Sequence, residues 1–470
     1  MSSTVLSGSV RDDAAEATFG PTFGEMLAPE TIPAGIRGQA LAALENDPLD
    51  PINLFNITWK DPSGRVRFVL LDKALTGVEA NIILMYGAAF PTGSHKVGAA
   101  YAVSMERQLA GDIAPGRHTL VWPSTGNYGI GGAWVGPRLG YTSVVILPHS
   151  VSRERFEIIS SYGARYVKTP GRESSVKELF SVCEELSRTD PGLRVLNQFQ
   201  AMANYRFHYA VTGPSAMEAV DSVGNGRVAA YVSAMGSGGT IAAGDRLKQA
   251  FTECRIVGLE PIQCPTLYAN GHGDHDIQGT GDKHVTWIHN VMNMDALMCV
   301  DDLECKKGLQ LLTDPAGRDY LSAVEGVDGG QLAELAGILG ISGVCNILGA
   351  IKTAKFYGLG PQDNVVTIAT DSFDRYGSVM TAMAEGYGPI TRERAAVYFA
   401  GVFPGAKLDW IQEGDRGNRL RWHNLKYSWW VEQHGRTVAE LDALRSQDFW
   451  AGEQAQAAEF DTRLREARGW

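Results

Sequence analysis

At 470 residues, with 44% hydrophobic and 20% charged residues, the chain has ordinary globular composition and is too long for one core, which excludes a disordered chain and a small stapled scaffold. The 42 Lys and Arg against 53 Asp and Glu leave a net charge of −11, which opposes binding to nucleic acid or to an anionic membrane surface. Six cysteines without a Cys-x-x-Cys pair signal neither a disulfide framework nor a thiolate metal site, and no leader-like start or bilayer-length apolar run is readable, so a reducing cytoplasm is expected.

In chain order, residues 1–85 read as an arm with short strands at 68–71 and 82–85 that packs on the larger lobe. From 118 onward, β-branched runs alternate with helical-period segments: strand 118–122, helix 128–139, strand 143–147, helix 152–162 and strand 165–168. The rhythm returns with strand 228–233, helix 240–250, strand 255–259, helix 344–356 and strand 364–369. The pattern predicts an α/β protein of open, mostly parallel sheets flanked by helices. We divide it into a smaller, mobile lobe over 86–196 and a larger lobe over 197–389. Residues 390–470 hold six of the ten tryptophans (Trp410, Trp422, Trp429, Trp430, Trp450 and Trp470), too many large rings for a solvated tail. We read them as an ordered extension packed on the main body or on a second subunit.

Four short segments carry chemistry. Pro91-Thr92-Gly93-Ser94-His95-Lys96 precedes the small-residue run Val97-Gly98-Ala99-Ala100, so Lys96 opens a helix where backbone can approach a flat ligand. The helix dipole and partial burial would lower its pKa and make the amine a nucleophile toward an aldehyde. Gly236-Ser237-Gly238-Gly239-Thr240 joins a strand to a helix and suits a phosphate through converging N–H groups, although a plain turn fits the same residues. Ser124-Thr125-Gly126-Asn127-Tyr128-Gly129 lies at the carboxyl end of a strand, where open α/β sheets place ligands; its hydroxyls and amide suit a carboxylate and a phenolic oxygen, or serve as a helix cap. Ser372 follows the strand at 364–369 and offers a hydroxyl to a ring nitrogen, or again a cap. One cofactor, pyridoxal 5′-phosphate, has all four partners.

With these motifs the chain resembles the fold-type II pyridoxal-phosphate enzymes, the cysteine synthase and cystathionine β-synthase group, with tryptophan synthase β as a more distant relative. The resemblance covers roughly residues 50–385. Ser152-Arg153-Glu154-Arg155, Asn197-Gln198-Phe199, Gly258-Leu259-Glu260-Pro261, Ile277-Gln278-Gly279 and Gly340-Ile341-Ser342-Gly343 follow in the family's order. It implies that Lys96 is the catalytic residue and forms the internal imine, that Asn127 bonds the phenolic oxygen, and that Gly236, Ser237, Gly238, Gly239 and Thr240 hold the phosphate. It also implies that Ser372 faces the ring nitrogen and that Ser124, Thr125, Gly126 and Gln198 take the substrate carboxylate.

The implied reaction is β-replacement or β-elimination on a serine-, O-substituted-serine- or cysteine-like amino acid through an aminoacrylate. The alternatives are a serine/threonine dehydratase or racemase, and a non-catalytic cofactor-binding scaffold. The resemblance further implies a homodimer. Phe90, His95, Tyr128 and Thr370 depart from the family's usual residues and are expected in the substrate-facing shell, which leaves the leaving group and second substrate open. His272, His275 and His284, with Asp274, Asp276 and Asp282, match no metal-ligand spacing and are read as a loop, so no metal is expected. Residues 422–434 are read as packing, with His423, Lys426 and His434 able to reach a neighbouring active site in a dimer.

Overall fold

The structure is a computed structural model and describes residues 17–124, 126–170 and 176–470. Among these residues the strands are β1 (Phe68–Leu70), β2 (Asn81–Tyr86), β3 (Thr119–Pro123), β4 (Thr142–Pro148), β5 (Arg165–Thr169), β6 (Leu193–Val195), β7 (Val228–Ala234), β8 (Arg255–Pro261), β9 (Ala296–Val300), β10 (Asn364–Ala369) and β11 (Ile411–Glu413). They form two sheets. The smaller runs β5-β4-β3-β6 and is parallel throughout. The larger runs β1-β2-β10-β7-β8-β9-β11; its five central strands are parallel, and antiparallel β1 and β11 flank them. Every residue of β9 and β10 is buried, because helices cover both faces of a parallel sheet and leave no polar side.

The first segment is built into the larger sheet, with six residues of β2 paired to β10. Strands β6, β9 and β11 escaped the sequence pattern. Two of them have only three residues, and Ala-Leu-Met-Cys-Val in β9 fits a helix as well as a strand. The expected helix 240–250 begins as a tight turn, Thr240–Ala242, before the α-helix Ala243–Ala250. The small-residue run after Lys96 serves helix packing rather than ligand approach: a Cβ at Gly98 would lie 2.0 Å from the Phe207 ring, and one at Gly131 would lie 3.1 Å from Val97 Cα.

The C-terminal extension lies on the body of its own chain. Strand β11 extends the larger sheet at β9, and Trp422, Trp430 and Trp450 are fully buried. Trp422 fills a cluster with Met235, Ile256 and Leu267, while Trp430 packs on Trp287 with ring centroids 5.8 Å apart. The final helix, Gln447–Arg468, returns to the start of the described chain. Asp461 accepts from the N–H groups of Phe23 and Gly24 at 2.7 and 2.9 Å, and Arg468 pairs with Glu25 at 2.7 Å.

Candidate active site

Lys96 is the first residue of the helix Lys96–Leu109 and reaches a cleft between the two sheets. Its Nζ lies 3.0 Å from Ser237 Oγ. Burial pushes its pKa down to about 8, partly offset by the Asp282 carboxylate across the cleft, so a free amine is available near neutral pH. His95, one residue earlier, stacks on Trp59, and its Nε2 lies 3.2 Å from Thr240 Oγ1. Burial, with the nearby Lys96 charge, lowers the His95 pKa to about 3, so its ring is neutral.

Opposite the lysine, the turn after β7 presents Gly236, Ser237, Gly238 and Thr240 to the cleft. Glycine is required at two of these positions by space. A Cβ at Gly236 would lie 2.3 Å from Gly279 O, and one at Gly238, held at φ +76°, would lie 2.6 Å from Thr286 Oγ1. Ser237 Oγ also accepts from Asn204 Nδ2 at 3.0 Å, so both its lone pairs are engaged and its proton is left to donate to an anion. Gly239 backs onto Asn204 instead of lining the cleft.

Ser124, Gly126, Asn127 and Tyr128 line the small-lobe side, with Gln198 from the segment beyond β6. Gly126 must lack a side chain because Arg155 Nη1 would lie 2.3 Å from its Cβ. Arg155 anchors a buried network that joins both sheets. It donates to Gln278 Oε1 at 2.8 Å, Asn127 Oδ1 at 3.2 Å and Tyr376 OH at 3.2 Å, and lies 3.7 Å from Asp371 Oδ2. Asp371 Oδ2 also accepts from Asn127 Nδ2 at 2.7 Å and from Tyr376 at 2.8 Å. The Asn127 amide therefore lines the cleft while held by Asp371 and Arg155.

Several expectations are corrected. Ser372 is not brought to the cleft: its hydroxyl pairs with the Asp374 carboxylate and accepts from Arg375 Nη1 at 3.1 Å. Hydroxyl residues at that end of the cleft are Ser342 and Thr370, and Ser342 Oγ is buried without a partner. Ser342 lies in the first turn of the helix Ile341–Tyr357, where a serine between Ile341 and Gly343 gives no local signal of a ligand. Asn204 lies in no glycine-rich or strand-end motif, and Asp282, expected only as part of a polar loop, lines the cleft after Gly279-Thr280-Gly281. Thr125 lies outside the described residues. Phe90 and His95 sit in the core, with Phe90 edge-on to Trp59 at 5.0 Å, whereas Tyr128 and Thr370 do line the cleft. His423 and Lys426 are buried in their own subunit, and His434 stands 3.5 Å from Glu184. Among the described residues, no group of three or more His, Cys, Asp or Glu is placed to hold a metal ion.

A half-buried amine facing a glycine turn, between a small sheet and a larger one, defines a cleft suited to a phosphorylated carbonyl ligand. Residues 69–371 match the family of pyridoxal-phosphate dependent enzymes, and the chain belongs to that family. It is 29% identical over 320 residues to a probable cysteine synthase of Bacillus subtilis, covering 67% of this chain and 94% of that protein. The structure superposes on an O-acetylserine dependent cystathionine β-synthase from Helicobacter pylori (TM-score 0.57, 22% identity, 68% and 97% of the two chains). It also superposes on an O-acetylserine sulfhydrylase from Entamoeba histolytica (TM-score 0.58, 23% identity, 72% and 92%). The fold is that of the fold-type II pyridoxal-phosphate enzymes, with an extension beyond the matched segment.

The cleft fits the cofactor on its own chemistry. The glycine cradle and the free Ser237 proton suit a phosphate, Lys96 suits an aldehyde, and the orphaned Ser342 Oγ and Gln198 Oε1 are buried polar atoms awaiting partners. The chain is a pyridoxal 5′-phosphate dependent, cysteine synthase-like enzyme, and none of its described helices is long and apolar enough to cross a membrane.

Proposed function

We propose that the enzyme catalyses β-replacement or β-elimination on a serine-, O-substituted-serine- or cysteine-like amino acid. When bound, pyridoxal 5′-phosphate supplies an electron sink for charge at the substrate α-carbon. With the cofactor bound, Lys96 Nζ would hold its aldehyde carbon, and the same amine is placed to take the substrate α-proton as general base; the Ser237 hydroxyl would orient it for both roles. The turn 236–240 binds the phosphate, with Gly239 acting through its seat on Asn204. Ser124, Gly126 and the Gln198 amide would bind the substrate carboxylate, and Asn127, already bonded to Asp371, would also hold the cofactor's phenolic oxygen. Ser342 and Thr370 would offer the ring nitrogen neutral hydroxyls rather than a carboxylate, a setting that would disfavour its protonation.

The observation that carries this reading is the half-buried Lys96 amine held by Ser237 of the glycine turn opposite it. The smaller lobe over 86–196, moving against the larger lobe over 197–389, would close the cleft, with the Arg155–Asp371 contact spanning the two. A cytoplasmic setting is supported by six cysteines that are all free and buried. The homodimer belongs to the same proposal, and sedimentation of the purified chain tests it. The activity is tested by incubating the protein with serine, O-acetylserine and cysteine, with and without an added thiol, and reading products by mass spectrometry. A β-substituted alanine with thiol, or ketoacid and released leaving group without it, is expected. Racemised amino acid alone, or ketoacid formed from serine only and never from O-acetylserine or cysteine, would replace the proposal with the racemase or dehydratase reading.

A further inference from the structure

We propose that Lys426, in the C-terminal extension, supplies the counter-charge for the phosphate held by the glycine turn, so that cofactor phosphate and docking of the extension stabilise each other. This rests on the assignment of residues 236–240 to the phosphate. Behind that turn, Thr286 Oγ1 and His289 Cβ crowd Gly238, at 2.6 and 2.9 Å from where its Cβ would be. The turn is therefore seated directly on the segment 285–289. One face of the extension grips this segment by three carbonyls. Trp430 Nε1 donates to Val285 O at 2.8 Å, and Lys426 Nζ donates to Trp287 O at 3.0 Å and His289 O at 2.7 Å.

The Lys426 side chain is wholly buried, and both its hydrogen-bond partners are neutral. Burial alone pushes its pKa down to about 7, which marks the cost of keeping an ammonium there without an anion. A phosphate on the far side of the 285–289 segment would offset that cost. Other cations are scarce at this place. Lys96 is the one lysine or arginine among the described residues lining the cleft, and His95 and His289, which pack against the turn, are held neutral at about 3 by burial. Lys426 lies outside the segment matched to the family, residues 69–371, whereas the carbonyls it holds lie inside it.

Coupling between two sites is reciprocal, which gives two readouts that need no turnover. Full-length protein freed of cofactor is titrated with 4′-deoxypyridoxine 5′-phosphate and with 4′-deoxypyridoxine, neither of which has an aldehyde for Lys96. Lys426→Gln keeps an N–H donor but no charge. It should weaken the phosphorylated ligand about 5- to 150-fold and the unphosphorylated ligand by less than about twofold. In the wild type, the phosphorylated ligand should slow amide hydrogen exchange over 416–431 and the unphosphorylated one should not. Equal losses for both ligands in the variant, or unchanged exchange in the wild type, would overturn the proposal. If Lys426→Gln does not fold, the wild-type exchange measurement decides alone. A Gly238→Ala protein that binds the phosphorylated ligand as well as wild type would instead show that the phosphate assignment of the turn is at fault, and the inference would fall with it.

Discussion

The cleft and the Trp-rich extension behind it each take a lysine out of bulk water, Lys96 partly and Lys426 wholly, and they differ in what the amine faces. Lys96 meets a hydroxyl at the edge of a cleft and titrates near 8, whereas Lys426 meets two carbonyls in a closed core and titrates near 7. Burial brings both amines close to neutrality by the same desolvation. Access then separates a reagent from a brace: one amine can be reached by a carbonyl ligand, and the other holds backbone carbonyls and acts on a ligand only through its charge.

The sharpest way to break this contrast is Lys96→Ala. Turnover should fall by at least about 10³-fold, the scale of a lost general base, in a product assay with saturating cofactor. Trp430→Ala tests the opposite pole, since emptying a fully buried indole site should cost about 3–5 kcal/mol in denaturant unfolding. A smaller effect is expected where the two regions meet. Gly238→Ala forces a side chain into the left-handed region at φ +76° and toward Thr286, so cofactor affinity should drop roughly tenfold by spectroscopic titration, on the ~1–2 kcal/mol cost of that backbone conformation.

The mildest expected effect is a pH slope. Lys426 loses its proton near 7 when folded and near 10.5 when unfolded, so between those values the unfolded chain holds more protons and folding stability rises with pH. The slope is at most about 1.4 kcal/mol per pH unit, is absent below about 7, and should vanish in Lys426→Met when melting curves are compared from pH 6 to 10.

Legibility in the sequence followed the range of the interaction. Strands β7 and β10 and the turn 236–240 were readable because a continuous apolar run, and glycines between strand and helix, are local signals. Lys96 was readable from its place beside small residues, although those residues turned out to pack Phe207 and the helix Asn127–Arg138. Ser342 and Ser372 show where local reading ends. Which hydroxyl reaches the cleft is decided by Asp374 and Arg375 engaging Ser372, and by a helix start far along the chain delivering Ser342. The extension's tryptophans announced a packed segment. That one turn of it would carry a buried cation to the back of the glycine turn depends on tertiary contacts that no periodicity encodes.

The central claim is the bond between cofactor aldehyde and Lys96. Holoenzyme reduced with borohydride, digested and sequenced by mass spectrometry measures it directly. The account expects the cofactor's mass on the peptide containing Lys96, with the tag lost in Lys96→Ala. A tag on another lysine, or an untagged protein that still turns over substrate, would contradict it.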